Sequence, residues 1–374
     1  MKTKLSAALT ALLLCLLAVL PAQADAAQAH YARTAAHLQT LTPQVGSVGG
    51  EWLVLGLCRA DLLTQAQQDA YLQNAEDYVK AVGAAKLHRS KSSDNARMVL
   101  ALSALGKDAR NFAGFDITSP LFDVNYVQKQ GINGVIWALI ALDCCRYPSP
   151  EGVREDLLSL LLQAQHSDGG WGLDENISDP DVTAMALTAL APYRFFDSDV
   201  LSSVNKGLLL LESLQQESGG YASYDSFNPE SCAQVITALC ALDIHPLSDN
   251  RFCRGGRSLV DSLMRFAVKD GFCHTLGGSY NQMATEQALY SLTALNRLQN
   301  RQTALYHMTD VQSFAVQSID EATALQRYLA EFPQELTVPQ QMCMDADGNG
   351  KLTVNDVTAL QRLLCARGAY EGIF

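Results

Sequence analysis

A six-fold internal repeat constrains the fold of this 374-residue chain more than any other feature of its sequence. Each copy is a short apolar segment, rich in alanine or leucine, that ends in leucine. The closing leucines are Leu57, Leu105, Leu142, Leu190, Leu242 and Leu295. Helices that are apolar on nearly every side are buried, and small side chains let neighbouring helices approach closely. The repeat therefore predicts six buried helices.

A second, more amphipathic helix lies between the copies, with charge on one face and Leu or Val at helical spacing on the other. Clear examples are residues 67–82, 150–166, 199–217 and 256–269. The sequence contains no convincing strand, so the predicted fold class is all-α. Six helical pairs over roughly 280 residues fit an open solenoid or a closed ring. A solenoid exposes both ends and usually has polar capping repeats, whereas six copies with fully apolar inner helices favour the ring, an (α/α)6 toroid.

Glycines followed by an aromatic residue close the outer helices. Residues 169–171 are Gly-Gly-Trp, residues 219–221 are Gly-Gly-Tyr, and Gly271 precedes Phe272. Glycine adopts the positive φ that ends many helices, at no steric cost. We expect each aromatic side chain to pack back over the helix end, which is a structural role.

The first 26 residues are predicted to be a secretory signal peptide. Lys2 and Lys4 precede an apolar stretch over residues 5–20, and the small residues around Ala24 and Ala26 form a cleavage site. A membrane anchor is the alternative, but the apolar run is shorter than the ~20 residues that a span needs. No later stretch is apolar enough to span a membrane. The sequence therefore predicts a protein that is secreted, either extracellular or attached to the cell surface.

The net charge of the chain excludes one class of partner. The formal net charge is −12, and a surface of that sign does not attract a phosphate backbone, so we expect no nucleic-acid partner.

Removal of the signal peptide takes Cys15 and leaves nine of the ten cysteines. An odd number cannot all pair internally, and the pairing of Cys232, Cys253 and Cys273 stays open.

Residues 345–356 have the sequence pattern of a calcium loop, Asp-Ala-Asp-Gly-Asn-Gly-Lys-Leu-Thr-Val-Asn-Asp. Oxygen ligands recur at alternate positions, glycine stands at the sharp turn, and a carboxylate closes the loop. This spacing offers Ca²⁺ the hard oxygen ligands that it prefers. The predicted ligands are Asp345, Asp347, Asn349, Lys351 through its backbone carbonyl, Thr353 and Asp356.

An incomplete copy of this loop lies 35 residues upstream and is followed by a similar helix. The copy keeps both ends but loses internal ligands and the glycine. The kept ends are Asp310 and Glu321, and the replaced positions are Gln312, Phe314 and Ala315. The pair of loops and helices over residues 309–368, before a tail at 369–374, resembles a type I dockerin. The resemblance implies a cohesin partner on a scaffold protein. The lost loop implies one calcium ion and leaves open whether docking survives.

Residues 27–308 resemble the α/α toroid of terpenoid cyclases and protein prenyltransferases, specifically the prenyltransferase/squalene-oxidase repeat proteins. The segments that carry the resemblance are residues 168–171, 181–187, 230–236 and 283–288. The resemblance implies the fold and no single activity. Aligned on their closing leucines, the six copies place the inner-helix starts at one mouth of the ring. A polar mouth over an apolar bowl is a common small-molecule site, so we expect an apolar ligand there.

The catalytic candidates stand at these helix starts. Residues 179–184 are similar to the Asp-x-Asp-Asp-Thr-Ala segment of squalene-hopene-type cyclases, which implies that Asp181 is a general acid with Asp179 as its neighbour. Val182 replaces the third acid of that segment, and the aromatic content of 7% is low for carbocation chemistry. Glu286 is the other candidate acid at an inner-helix start.

A catalytic zinc site is not expected, because it needs three protein ligands. The zinc set of prenyltransferases is incomplete in this chain: residues 230–232 are Glu-Ser-Cys, and Gln287 stands near the position of the histidine.

Two functional hypotheses follow. In the first, the toroid binds a ligand and the C-terminal module tethers it to a cohesin in an extracellular, polysaccharide-degrading complex. In the second, the toroid is an enzyme, either an acid-initiated terpene-type cyclase that uses Asp181 or a carbohydrate-active helical barrel. Paired carboxylates beside aromatic platforms at the mouth are typical of a carbohydrate-active enzyme.

Overall fold

The structure, a computed structural model, describes residues 26–174, 176–314 and 318–370, so the predicted signal peptide lies outside them up to residue 25. In chain order the helices are α1 (26–38), α2 (Trp52–Arg59), α3 (Gln65–Val82), α4 (Ser92–Ala104), α5 (Val124–Val127), α6 (Gly131–Asp143), α7 (Val153–Gln163), α8 (Pro180–Leu190), α9 (Ser198–Leu214), α10 (Pro229–Ala241), α11 (Leu259–Met264), α12 (Gln282–Gln299), α13 (Ile319–Leu329), α14 (Val338–Met344) and α15 (Val354–Tyr370).

The six apolar repeats form the inner wall of a closed ring. Each of α2, α4, α6, α8 and α10 packs against the next inner helix, and α12 packs back against α2. Gly56 makes this closing contact close, because a Cβ there would lie 3.3 Å from the side chain of Leu289. The outer layer consists of α1, α3, α7, α9, α11 and the short α5 with its flanking 3₁₀ turns. The all-α prediction is therefore confirmed.

Local sequence explains where the inner helices begin. Asp179, Asn228 and Asn281 each occupy the N-cap, where the side-chain oxygen accepts a hydrogen bond from a first-turn backbone N–H. Pro180 and Pro229 follow two of these caps, at the first helical position, where a missing N–H costs no hydrogen bond. These caps fix the ends of α8, α10 and α12 at one face of the ring.

The aromatic turns have the structural role that the sequence predicts. Trp171 is fully buried, and its Nε1–H donates to the carbonyl of Leu161 at 2.8 Å, at the end of the outer helix α7. Tyr221 repeats this contact on α9, because its hydroxyl donates to the carbonyl of Leu211 at 2.8 Å. Thr183 also bonds the backbone of Trp171, so the threonine shared with the cyclase segment is structural in this chain.

Two local features differ from the sequence prediction, and the cysteine pairing that was open is now given. Two short hairpins are present where no strand was expected, β1 (Ala222–Ser223) with β2 (Ser226–Phe227) and β3 (Ala267–Val268) with β4 (Gly271–Phe272). The helix predicted over 256–269 is only the six residues of α11, because β3 follows it directly. In the described residues, all nine cysteines are free thiols, including the three whose pairing was open.

The C-terminal segment forms a small helical unit with its own apolar core, built mainly from Leu325, Leu360 and Val357. The toroid contacts this unit directly, since the guanidinium of Arg146 donates to the carbonyl of Asp345. Across the described ranges, the structure contains no helix with the length and apolar character needed to cross a bilayer.

Candidate functional site

Five carboxylates lie at the starts of the inner helices, at one end of the ring. We call this set the acidic mouth; its members are Glu51, Asp179, Asp181, Glu230 and Glu286. All but Asp181 are almost completely buried, and Asp181 is partly exposed. Carboxylates are rarely buried to this extent without a function or a strong partner. The carboxylates of the acidic mouth are therefore the candidate catalytic groups.

Asp181 is the most perturbed group in its part of the mouth. Burial, together with the charge of Asp179, raises the pKa of Asp181 from 3.8 to about 7. Its Oδ1 is buried and has no hydrogen-bond partner within the described part of the chain. Asp179 is held firmly, because it accepts the backbone N–H groups of Asp181 and Val182 and the hydroxyl of Ser223. Asp181 can therefore carry a proton near neutral pH beside a fixed carboxylate.

A histidine–glutamate pair lies beside this carboxylate pair. The Nδ1 of His274 lies 2.9 Å from the buried carboxylate of Glu230, while the imidazole is about half exposed. The charge of Glu230 also contributes to the raised pKa of Asp181. An imidazole oriented by a buried carboxylate is a common arrangement for a general base. Sequence reasoning missed this pair because 44 residues separate its members.

Glu286 occupies a second sector of the mouth. Its Oε1 accepts the N–H of Gly49 at 2.8 Å and the amide of Gln282 at 2.6 Å. Its Oε2 is buried without a partner in the ranges described. Burial raises the pKa of Glu286 to about 7, the two hydrogen bonds oppose that rise, and the neighbouring charge of Glu51 adds to it. This carboxyl is thus a second group that titrates near neutral pH.

The structure brings the sequence candidates to one mouth but does not pair them. Asp181 begins α8 and Glu286 is in the first turns of α12, and α10 packs between these two helices. Asp181 has Asp179 and Glu230 as its acidic neighbours, whereas Glu286 has Glu51. The mouth therefore contains two carboxylate clusters, and Glu51 is a member that sequence reasoning did not single out.

Exposed apolar side chains surround the acidic mouth. We call them the apolar rim; its members are Val48, Leu173, Ile177, Tyr224, Leu276, Tyr280 and Met283. Tyr224 is 69% exposed and follows Ser223, whose hydroxyl bonds Asp179. Its φ of 47° and the φ of 61° at Asp225 belong to the two-residue turn of the β1–β2 hairpin, which projects the tyrosine into solvent. Tyr280 stands over the other cluster, because its hydroxyl bonds Gln282. Each carboxylate cluster thus has one exposed tyrosine.

The centre of the ring is filled by aromatic side chains. Trp52 and Trp137 lie with ring centroids 4.9 Å apart, Tyr290 lies 6.1 Å from Trp52, and Tyr306 lies 5.8 Å from Trp137. The first three come from the inner helices α2, α6 and α12, and Tyr306 joins them from the segment after α12. These rings pack against one another at tilted or edge-to-face angles of 48° to 85°.

The calcium-loop residues converge in the C-terminal unit. Ligand oxygens of Asp345, Asp347 and Asp356 all lie within 4.8 Å of one another. The loop is folded around them, since Asp345 accepts the N–H of Gly350 at 2.8 Å and Asp356 accepts the N–H of Thr353 at 2.8 Å. Carboxylate oxygens grouped in this way suit Ca²⁺. The residues present therefore fit the ion that the sequence pattern implies.

The incomplete upstream loop has a different role. Asp310 forms ion pairs with Arg59 at 3.1 Å and Arg297 at 2.7 Å. Its carboxylate thus joins the start of the C-terminal segment to the ends of α2 and α12. Glu321 caps α13 by accepting the N–H of Ser318 at 3.1 Å. The two ends that survive in this loop serve packing and helix capping in the structure.

Comparison with known proteins adds little. No family model matches the sequence, and a search of curated proteins finds no match. A solved structure described as a possible member of the GH105 family, from Salmonella enterica serovar Paratyphi A, is similar over 74% of this chain and 94% of that chain, with 11% identity and a TM-score of 0.43. The helix packing of this chain itself is what defines it as an all-α ring.

Proposed function

We propose that the acidic mouth is the active site of an enzyme that performs acid–base chemistry on a carbohydrate, with Asp181 as the proton donor. The observation that carries the proposal is a partly exposed carboxyl with a pKa of about 7, next to a fixed carboxylate whose partner Ser223 precedes the exposed Tyr224. A general acid works best when its pKa is near the operating pH. Exposed tyrosine rings offer a flat apolar face for a sugar and a hydroxyl for hydrogen bonding.

The proposed step is hydrolysis of a glycosidic bond. Asp181 gives its proton to the leaving oxygen as the bond from that oxygen to the anomeric carbon breaks. A water molecule adds to the anomeric carbon and gives a proton to Nε2 of His274. Glu230 accepts the N–H of Nδ1 and stabilises the imidazolium that forms. Transfer of that proton to solvent and reprotonation of Asp181 complete the cycle.

The packing inside the ring favours carbohydrate hydrolysis over terpene-type cyclisation. A polyene cyclase needs open aromatic faces against which a developing carbocation can lie. Trp52, Trp137 and Tyr290 instead pack against one another and against Tyr306. The exposed aromatic side chains of the mouth lie on its rim, where an extended polar substrate has access to them.

The test is release of reducing ends from a panel of soluble polysaccharides and oligosaccharides. Asp181→Asn is expected to lower kcat by about 100-fold or more, because general acid catalysis contributes about that much. Tyr224→Ala is expected to raise KM with a smaller change in kcat. Phe332→Ala removes an exposed aromatic ring of the C-terminal segment and serves as the matched control. Full activity of Asp181→Asn, or no turnover of any carbohydrate by the wild type, would contradict the proposal.

We also propose that the C-terminal unit binds one Ca²⁺ and attaches the secreted protein to a cohesin. The convergence of Asp345, Asp347 and Asp356 supports the calcium part. The cohesin partner rests on the resemblance of the duplicated loop and helix to a dockerin. Calorimetric titration is expected to give one Ca²⁺ per chain and none in Asp345→Ala. Immobilised cohesins are expected to retain the wild type only when Ca²⁺ is present. Retention that persists in EGTA would count against calcium-dependent attachment.

A further inference from the structure

A cavity of about 460 Å³ lies at the end of the ring opposite the acidic mouth. Its walls come from the C-terminal ends of α6, α8 and α10, from residues 301–310, and from residues 345–348 of the calcium loop. Small-molecule sites have volumes of about 300–1,000 Å³ and combine apolar walls with a few polar groups. Ile140, Ala189 and Ala241 supply apolar wall here. The cavity is therefore of a suitable size and character for a small molecule.

One wall of the cavity carries a buried arginine that lacks a full set of partners. Arg146 is 3% exposed, and its guanidinium donates to the carbonyl of Asp345. The Nε–H of Arg146 has no acceptor among the described residues. No carboxylate forms an ion pair with this guanidinium anywhere in residues 26–174, 176–314 or 318–370. Asp143, another carboxylate of the cavity wall, already pairs with Arg154. Burial of a cation whose N–H donor has no acceptor costs free energy, unless a bound ligand supplies the acceptor.

A second buried polar group without a hydrogen-bond partner lines the same cavity. The hydroxyl of Tyr306 is buried and has no partner among the described residues. Two unmet polar groups, from separate parts of the chain, therefore line one cavity with apolar walls. A bound molecule with an anionic group and a second polar group would satisfy both.

We propose that this cavity binds a small organic carboxylate. The carboxylate accepts the Nε–H of Arg146, a second polar group of the ligand meets the hydroxyl of Tyr306, and the apolar body lies against Ala189 and Ala241. Arginine is suited to this role because its rigid, permanently charged fork matches a carboxylate. This site is separate from the acidic mouth, so it is additional to the proposed hydrolysis.

The calcium loop makes the cavity sensitive to calcium; this part rests on the proposed calcium site. Asp345 and Asp347 contribute both to the cavity wall and to the group of ligand oxygens. Without a cation their negative charge opposes an anion in the cavity, and a bound Ca²⁺ offsets it. Calcium and the carboxylate therefore strengthen each other's binding, and the coupling is the same in both directions.

The test is calorimetry on the full chain with 2-naphthoate as the probe and its neutral amide as the matched control. We expect naphthoate to bind in millimolar Ca²⁺ at least about tenfold more tightly than naphthamide, and Arg146→Met to lose at least about tenfold, as for a hydrogen bond to a charged group. Tyr306→Phe is expected to leave the affinity for naphthoate unchanged, because this probe has no second polar group to meet the Tyr306 hydroxyl. In EGTA the affinity of the wild type for naphthoate is expected to fall.

A second variant distinguishes loss of the ligand site from loss of structure in Arg146→Met. Ala241→Phe fills the cavity from another helix and leaves Arg146 in place, so it is expected to abolish naphthoate binding while the melting temperature is retained. Equal binding of amide and acid, or unchanged affinity in both variants, overturns the proposed cavity site. Calcium titration without naphthoate tests the calcium proposal separately. Normal calcium binding with naphthoate affinity unchanged by EGTA overturns the coupling.

Discussion

Replacement of Asp181 by asparagine tests whether the acidic mouth holds a proton that the unfolded chain releases. Raising the pKa of this carboxyl from 3.8 to about 7 means that, between these pH values, the folded chain keeps a proton that the unfolded chain has lost. The free energy of unfolding then falls as pH rises through this window. Each pH unit is worth about 1.4 kcal/mol, so the full cost to the wild type above pH 7 is about 4 kcal/mol.

The asparagine side chain of this variant is neutral at every pH and close in shape to the protonated acid. Asp181→Asn is therefore expected to match the wild type within about 1 kcal/mol near pH 4 and to exceed it by about 4 kcal/mol at pH 8. The measurement is urea denaturation of both proteins at a series of pH values. The same change that stabilises the fold is expected to remove activity, as at many strained active sites.

Two matched variants make the result specific. Glu286→Gln removes the other carboxyl whose pKa is about 7 and is expected to give a similar dependence on pH. Asp69→Asn removes an exposed carboxylate on α3 and serves as the control for the loss of one negative charge at the surface. A difference between wild type and Asp181→Asn that does not grow between pH 4 and pH 8 would refute the assignment of the neutral-range proton to this carboxyl.

Three further outcomes are expected. EGTA is expected to unfold the C-terminal unit and leave the toroid folded, seen as loss of one calorimetric transition; a melting curve unchanged by EGTA would contradict a calcium-stabilised unit. Trp171→Ala is expected to lower the free energy of unfolding by about 3–5 kcal/mol in urea, because a fully buried indole and its bond to Leu161 are lost; a loss below about 1 kcal/mol would show that the turn is not a structural anchor. Asp143→Ala leaves Arg154 buried without its partner at 2.7 Å and is expected to cost about 3–5 kcal/mol by the same assay; equal stability would mean that the pair is not buried in solution.

Much of the fold could be predicted because its signals are local and repeated. Six alanine- and leucine-rich segments specify six buried helices, and the Gly-Gly-aromatic turns place Trp171 and Tyr221 against the ends of the outer helices. The local errors occur where short-range patterns are ambiguous. Residues 256–269 have helical spacing, yet β3 pairs with β4 and ends α11 early.

The candidate site was predicted only in part. Asp181 and Glu286 were found because each stands at the start of an inner helix. Glu230 and His274 were not joined, since their contact spans 44 residues and depends on a loop that follows a different outer helix. Tyr306 was missed because it lies outside every repeat, although it completes the aromatic cluster in the ring.

The sequence by itself determined the secondary structure class, the number of inner helices and the spacing of the calcium-loop residues, because each depends on neighbours along the chain. The tertiary structure decided which polar groups lose water. It buried Glu286 and Arg146, left Nε of Arg146 without an acceptor among the described residues, and packed Trp52 against Trp137. Desolvation and charge proximity depend on every element packed around a group, and these set the pKa values of the mouth and the character of the opposite cavity.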